Sequence, residues 1–164
     1  FMSYGLRFSS FSGNDMEFYS APKDYYLIPE KTDTLFMANG GQNNLALFIG
    51  ASYKYKNRFL FGFNIDALGY TFGNSQTGLF NPDGANIEDQ ASPKQASVLL
   101  VGANDIGMLK AEFELGVIIT DYFVVRAGLS NMFLEYKTSK ELQMGNDRFR
   151  AASSVGFLGV RFYL

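Results

Sequence analysis

The 164-residue chain contains no cysteine, no histidine and no tryptophan. Without cysteine it forms no disulfide, has no thiolate nucleophile and lacks the usual structural zinc sites. Without histidine it also loses the commonest general base and metal ligand. Long apolar runs are missing too, since no window approaches the roughly 18 to 20 consecutive apolar residues that a membrane-spanning helix needs. A membrane crossing by this chain would therefore use strands. The formal net charge of -2 and a pI near 5.1 offer no basic stripe, which argues against nucleic acid as a partner. No signal peptide opens the chain: Phe1-Met2-Ser3-Tyr4 already reads as a strand, and further residues are expected before it.

What is present is aromatic and glycine-rich. Seventeen Phe, ten Tyr and seventeen Gly suit pleated strands far better than a helical bundle. The length fits one domain, 1-164, with a sizeable core or one small barrel. Period-2 alternation marks six segments, 1-9, 44-56, 58-72, 108-120, 122-137 and 147-164. In 108-120, for instance, Leu109, Ala111, Phe113, Leu115, Val117 and Ile119 oppose Lys110, Glu112, Glu114, Gly116 and Thr120. Each polar face carries a glycine: Gly5, Gly50, Gly62, Gly116, Gly128 and Gly159. Glycine only weakens a solvated strand face, whereas in a narrow closed barrel it leaves space beside long charged side chains. The polar faces are therefore expected to line a crowded lumen, with the apolar faces outside.

The connections agree. Tyr55-Lys56-Asn57-Arg58 and Thr120-Asp121-Tyr122 read as tight hairpins, while 10-43, 73-106 and 138-146 read as longer polar connections. Short turns at one end and long loops at the other are the habit of outer-membrane barrels. Tyr53, Tyr55, Phe59, Tyr122, Phe123 and Phe162 fall near the short-turn end, where an interfacial girdle belongs. Six strands are fewer than the usual minimum of eight. The missing pair is expected in 10-43, as a hairpin of Tyr25-Tyr26-Leu27-Ile28 and Thr34-Leu35-Phe36-Met37, or before Phe1; Ser97-Val98-Leu99-Leu100-Val101 is assigned to a folded outer loop.

The final strand alternates Leu158, Val160, Phe162 and Leu164 against Phe157, Gly159, Arg161 and Tyr163. Its spacing of Gly159, Phe162 and Leu164 resembles the C-terminal assembly signal of bacterial outer-membrane β-barrels, although that signal usually ends in an aromatic. Two further segments, Gly62-Phe63-Asn64-Ile65-Asp66-Ala67-Leu68-Gly69-Tyr70-Thr71-Phe72-Gly73 and Leu99-Leu100-Val101-Gly102-Ala103-Asn104-Asp105-Ile106-Gly107, resemble small Gram-negative barrels of the Bacteroidetes type. The resemblance implies an all-β, antiparallel, up-and-down transmembrane barrel of about eight strands in the cell outer membrane. Outer-membrane lipid, the barrel assembly machinery and a larger outer-membrane complex are the partners it implies. It supplies no activity.

By parity the lumen receives Arg7, Lys54, Lys110, Arg126 and Arg161 against Asp66, Glu112 and Glu114, with Ser52, Asn64 and Ser130 between them. In so narrow a barrel these charges are expected to interlock as a structural network, the alternative being a path for protons or small solutes. Glu112 and Glu114 form a carboxylate pair that more simply balances Lys110 and the arginines than performs catalysis. Asp83, Glu88 and Asp89 could hold calcium, but Asn81-Pro82-Asp83-Gly84 reads first as a turn. No catalytic, cofactor or metal residue is assigned, and no enzyme activity is expected. Phe18, Tyr19, Tyr25, Tyr26, Leu79 and Phe80 supply more apolar groups than a passive surface loop needs and are candidate contacts for a larger complex or external ligand. A structural or loop-binding accessory barrel is the leading expectation, a narrow channel the second, and a soluble lipocalin-like carrier the third.

Overall fold

A computed structural model describes residues 1–21, 33–80, 87–100, 104–142 and 145–162. They form one antiparallel sheet of nine strands, with no α-helix among the described residues. The strands are β1 (Met2–Ser20), β2 (Thr34–Tyr55), β3 (Phe59–Phe72), β4 (Gln76–Phe80), β5 (Ile87–Pro93), β6 (Ala96–Val98), β7 (Leu109–Thr120), β8 (Phe123–Thr138) and β9 (Arg148–Phe162). Six of them curl into a partial ring in the order β1, β2, β3, β7, β8, β9. Among the described residues β1 and β9 meet at one end, through Tyr19 opposite Arg150, Ser20 opposite Phe149 and a bond from Ala21 N to Arg148 O at 2.9 Å.

The six segments of period-2 alternation correspond to the six ring strands, but two are much longer than the pattern indicates. The expected connection 10-43 is mostly strand: β1 runs to Ser20, and Thr34-Leu35-Phe36-Met37 begins β2 instead of making a separate hairpin. The reason is a kink. Asp15 adopts a left-handed φ of 51°, so Gly13 and Phe18 both turn inward although their numbers differ in parity. A single alternating template breaks there, and a helper strand looks like loop. Of the expected additional hairpin, Tyr25-Tyr26-Leu27-Ile28 lies outside the described residues; the extra strands of the sheet, β4, β5 and β6, lie in 73-106 and are short. β4 joins β2 to β5, β5 reaches β8, and β6 lies against β3. Within the stretch expected to be a folded outer loop, Ser97 and Val98 belong to the short strand β6 paired with β3.

Both tight turns lie at the same end, hereafter the lower end, together with Phe1 and Phe162: Ile118 donates its amide to Arg58 O, and Phe123 pairs with Phe162. The β2–β3 turn places Lys56 and Asn57 at φ 47° and 50°, closed by Arg58 N to Tyr55 O at 3.0 Å. Two successive left-handed residues twist the chain in the sense that the flanking strands require. At the upper end the enclosed face packs an apolar core of Phe18, Leu35, Met37, Phe80, Met108, Leu134, Tyr136 and Phe149. Phe18 and Tyr136 meet edge to face with ring centroids 5.2 Å apart, and the Tyr136 hydroxyl donates to Gly41 O. Below that core the enclosed face is charged.

Candidate functional site

The charged zone is built from facing positions on five strands. β7 sends Glu112 and Glu114 inward; its partners β3 and β8 place Asn64 opposite Glu112, Gly62 opposite Glu114, Ser130 opposite Glu112 and Gly128 opposite Glu114. Strand alternation alone therefore stacks two carboxylates beside two glycines and two small polar groups. Arg7 reaches across from β1. Its Nη1 lies 3.2 Å from Asp66 Oδ1 and its Nη2 3.6 Å from Glu112 Oε2, and it also donates to Asn64 Oδ1. Lys110 Nζ lies 2.9 Å from Glu112 Oε1. Arg126 Nη1 bridges both glutamates, at 2.6 Å from Glu114 Oε2 and 3.8 Å from Glu112 Oε2. Arg161 Nη2 completes the set at 2.7 Å from Glu114 Oε1.

Asp66 and Glu114 are almost fully buried, while the four cations retain partial exposure. Such carboxylates are tolerable only when held by charge and hydrogen bonds, and here Asp66 Oδ2 also accepts from the Lys110 amide. Arg7 and Arg126 lie over the rings of Phe48 and Phe157, which fixes the guanidinium planes.

Seven of the eight residues anticipated in the lumen thus come together. Lys54 is the exception. It lines a cavity of about 560 Å³ at the lower end but is exposed and makes no ion pair among the described residues. It stands opposite Leu60 next to the β2–β3 turn, well below the carboxylates. The network is therefore four cations around three carboxylates.

The anticipated loop contacts divide. Phe18 and Phe80 are buried in the upper core, which corrects their reading as exposed groups: both stand on inward positions of strands that the alternation pattern did not resolve. Tyr19 and Leu79 are exposed, and Tyr25 and Tyr26 lie outside the described residues. So do Leu164 and residues 81–84, with Asp83, for which the sequence suggests a turn. Of the terminal spacing, Gly159 faces Arg126 and Phe162 is exposed, its ring 5.1 Å from that of Phe123.

A second charge cluster was not singled out from the sequence. Glu135 is fully buried and receives Arg148 Nε at 2.8 Å and Arg150 Nη2 at 3.0 Å, with Arg150 also donating to Asp105 O. The signal that could have found it is cross-strand, since Glu135 sits directly opposite Arg150 once β8 and β9 are paired. Asp89 on β5 ties down the start of the next connection, accepting from Ser139 Oγ at 2.5 Å and the Lys140 amide at 3.0 Å. Burial alone pushes its carboxyl up. The bonds from Ser139, Lys140 and Gln90, with the Lys140 charge, outweigh that and hold it below its ordinary value. No group of three or more acidic residues spaced for a metal ion occurs among the described residues.

No protein-family model matches the chain, and no curated protein and no solved structure matches it. Its chemistry has to be argued from its own residues.

Proposed function

We propose that the chain is a small transmembrane β-barrel of a Gram-negative outer membrane, non-enzymatic, acting as a structural or accessory component that binds through its upper end. The observation that carries this reading is the outer surface of the ring. Leu6, Phe8, Leu47, Ile49, Phe61, Leu68, Phe113, Leu115, Leu129, Leu158 and Val160 all point outward and are exposed, while the charged groups of the network on the same strands are turned inward. A water-soluble sheet would reverse that arrangement. On β2 the outward row from Leu45 to Tyr55 rises about 23 Å at the ~45° tilt of membrane strands, close to the ~25 Å apolar band of such barrels. Tyr53, Tyr55, Phe59, Tyr122 and Phe162 mark its lower rim, and Tyr70 and Phe72 stand near its upper one. That no helix among the described residues is long and apolar enough to cross a membrane leaves a strand crossing untouched.

The interior argues for a scaffold over a conduit. Ion pairs fill the middle, and Phe18, Leu35, Met37, Tyr136 and Phe149 pack the upper end. Tyr19, Leu79, Ile87 and Leu100 are exposed apolar groups on or beside the upper connections, the natural place for a larger complex or an external ligand to dock. The test is fractionation followed by electrophoresis of unboiled samples. The chain should stay with outer membranes through an alkaline carbonate wash, migrate faster unboiled than boiled, and give no steady conductance in a planar bilayer. Release by the wash would sink the membrane reading, and a stable single-channel current would replace the scaffold reading by the channel.

A further inference from the structure

The outward row of β2 reads Leu45, Leu47, Ile49, Ala51, Tyr53 and Tyr55. Ala51 is the one small side chain in it, exposed and directly opposite Phe63 of β3. It leaves a notch in the apolar wall. The notch belongs to an outer groove of about 540 Å³ lined by Ala51, Tyr53, Phe61, Phe63 and Phe113, with Met2 at its far edge. Phe63 and Phe113 close one side as register partners, their ring centroids 4.8 Å apart. Tyr53 joins the groove to the β2–β3 turn below it. Lys54, Lys56 and Arg58 crowd that turn, all exposed and none in an ion pair among the described residues. The Lys56 ammonium lies 5.3 Å from the centre of the ring of Tyr55, an outward residue, so this charge is held on the outer side of the turn. The other tight turn supplies one carboxylate, Asp121. The lower rim therefore carries a positive surplus in a chain whose net charge is -2.

Resting on the membrane reading above, we propose that groove and turn together bind an anionic phospholipid, its phosphate at Lys56 and Arg58 and one acyl chain laid in the notch over Ala51. The heights agree. At the ~45° tilt of membrane strands Ala51 stands about 9 Å above Tyr55, deeper than a headgroup layer of roughly 5 to 8 Å, so one lipid molecule reaches both places. Cations at headgroup height with no carboxylate partner attract anionic lipid. A zwitterionic headgroup brings its own cation and gains less from the same site. By contrast, Lys137, Arg148 and Arg150 at the upper end already have carboxylate partners in Asp147 and Glu135. The notch adds selectivity of a second kind, because an acyl chain packs more closely over a methyl group flanked by aromatic rings than over the large side chains elsewhere in the row.

The chain has no tryptophan, so Phe61→Trp places a single fluorescent reporter in the groove wall. The chain is inserted into phosphatidylcholine vesicles containing a minor share of phosphatidylglycerol, with bromine on the acyl chains of one lipid or the other. Molecule for molecule, brominated phosphatidylglycerol should be favoured as quencher by about fivefold for each cation engaged. Lys56→Gln with Arg58→Gln should bring that ratio close to one, and Ala51→Leu should reduce it by filling the notch, with heat-modifiable migration unchanged in both. Leu158→Trp, in the same pairing row but three strands away, should show no preference. Equal quenching by the two lipids at Phe61→Trp, the same preference at Leu158→Trp, or displacement by soluble glycerol phosphate would overturn the proposal. Quenching at neither position by either lipid would instead overturn the membrane reading beneath it.

Discussion

Glu114 fills the space in front of Gly62. The two residues are register partners across β7 and β3, and a Cβ at Gly62 would stand 2.7 Å from both Glu114 Cγ and Oε1. The glycine is therefore the socket of the carboxylate that holds Arg126 and Arg161. Gly62→Ala should cost about 1 to 3 kcal/mol in urea unfolding of the detergent-folded chain, because the carboxylate must leave its guanidinium partners. Combined with Glu114→Ala, the loss should fall well short of the sum of the two single changes. Additive effects would mean that Gly62 matters for some reason other than this side chain.

Leu115 stands on β7 one residue from Glu114 but on the opposite face, 61% exposed. Leu115→Arg should destabilise the chain by about 2 to 4 kcal/mol in a lipid bilayer if it lies near the midplane. In a soluble protein the same change at so exposed a site would be close to silent. Equilibrium unfolding from lipid vesicles separates the two outcomes.

Phe18 is one of the largest side chains in the upper core, packed edge-on against Tyr136. Phe18→Ala should cost about 3 to 5 kcal/mol by leaving a cavity. Tyr19→Ala, one position along and exposed, should leave unfolding almost unchanged while weakening any contact made by the upper end. A reversal of these effects would undo the division between core and docking surface.

Asp89 makes the start of the β8–β9 connection sensitive to acid. Its carboxyl is held below the ordinary range, so its contribution is fully present above about pH 4 and is lost as pH falls through the lowered folded value. Amide exchange at Ser139 and Lys140 should quicken over that acid window in the native chain. In Asp89→Asn it should be fast throughout, with the rest of the ladder protected. Equal acid sensitivity in that variant would assign the effect to other carboxylates.

The alternation of Leu109 through Ile119 against Lys110, Glu112 and Glu114 made β7 legible, and tight turns bounded it and its neighbours unambiguously. The same two-residue period named all seven residues of the interior network, along with Lys54 outside it, because in a strand the facing side follows from the number alone. Three things escaped it. The kink at Asp15 reversed the phase within β1 and hid Phe18 as a core residue. Lys54 has the right parity but the wrong height, and height depends on strand stagger, which a single strand's pattern does not encode. Glu135 became visible only beside Arg150, a partner fixed by pairing across strands.

Tyr19 and Arg150 lie 131 positions apart along the chain, and their pairing is what shuts the ring. Contacts of such long separation form late, since the intervening loop must be ordered first. The hairpins β2–β3 and β7–β8 can assemble as soon as each is made, but the shutting step waits for nearly the whole chain. Until then the nascent molecule is a curved ribbon with two bare edges and a greasy back, the form most prone to stick to its own kind. Synthesis order therefore leaves a vulnerable interval between translation of β1 and arrival of β9, during which a holding chaperone would be worth more to this chain than any gain in final stability.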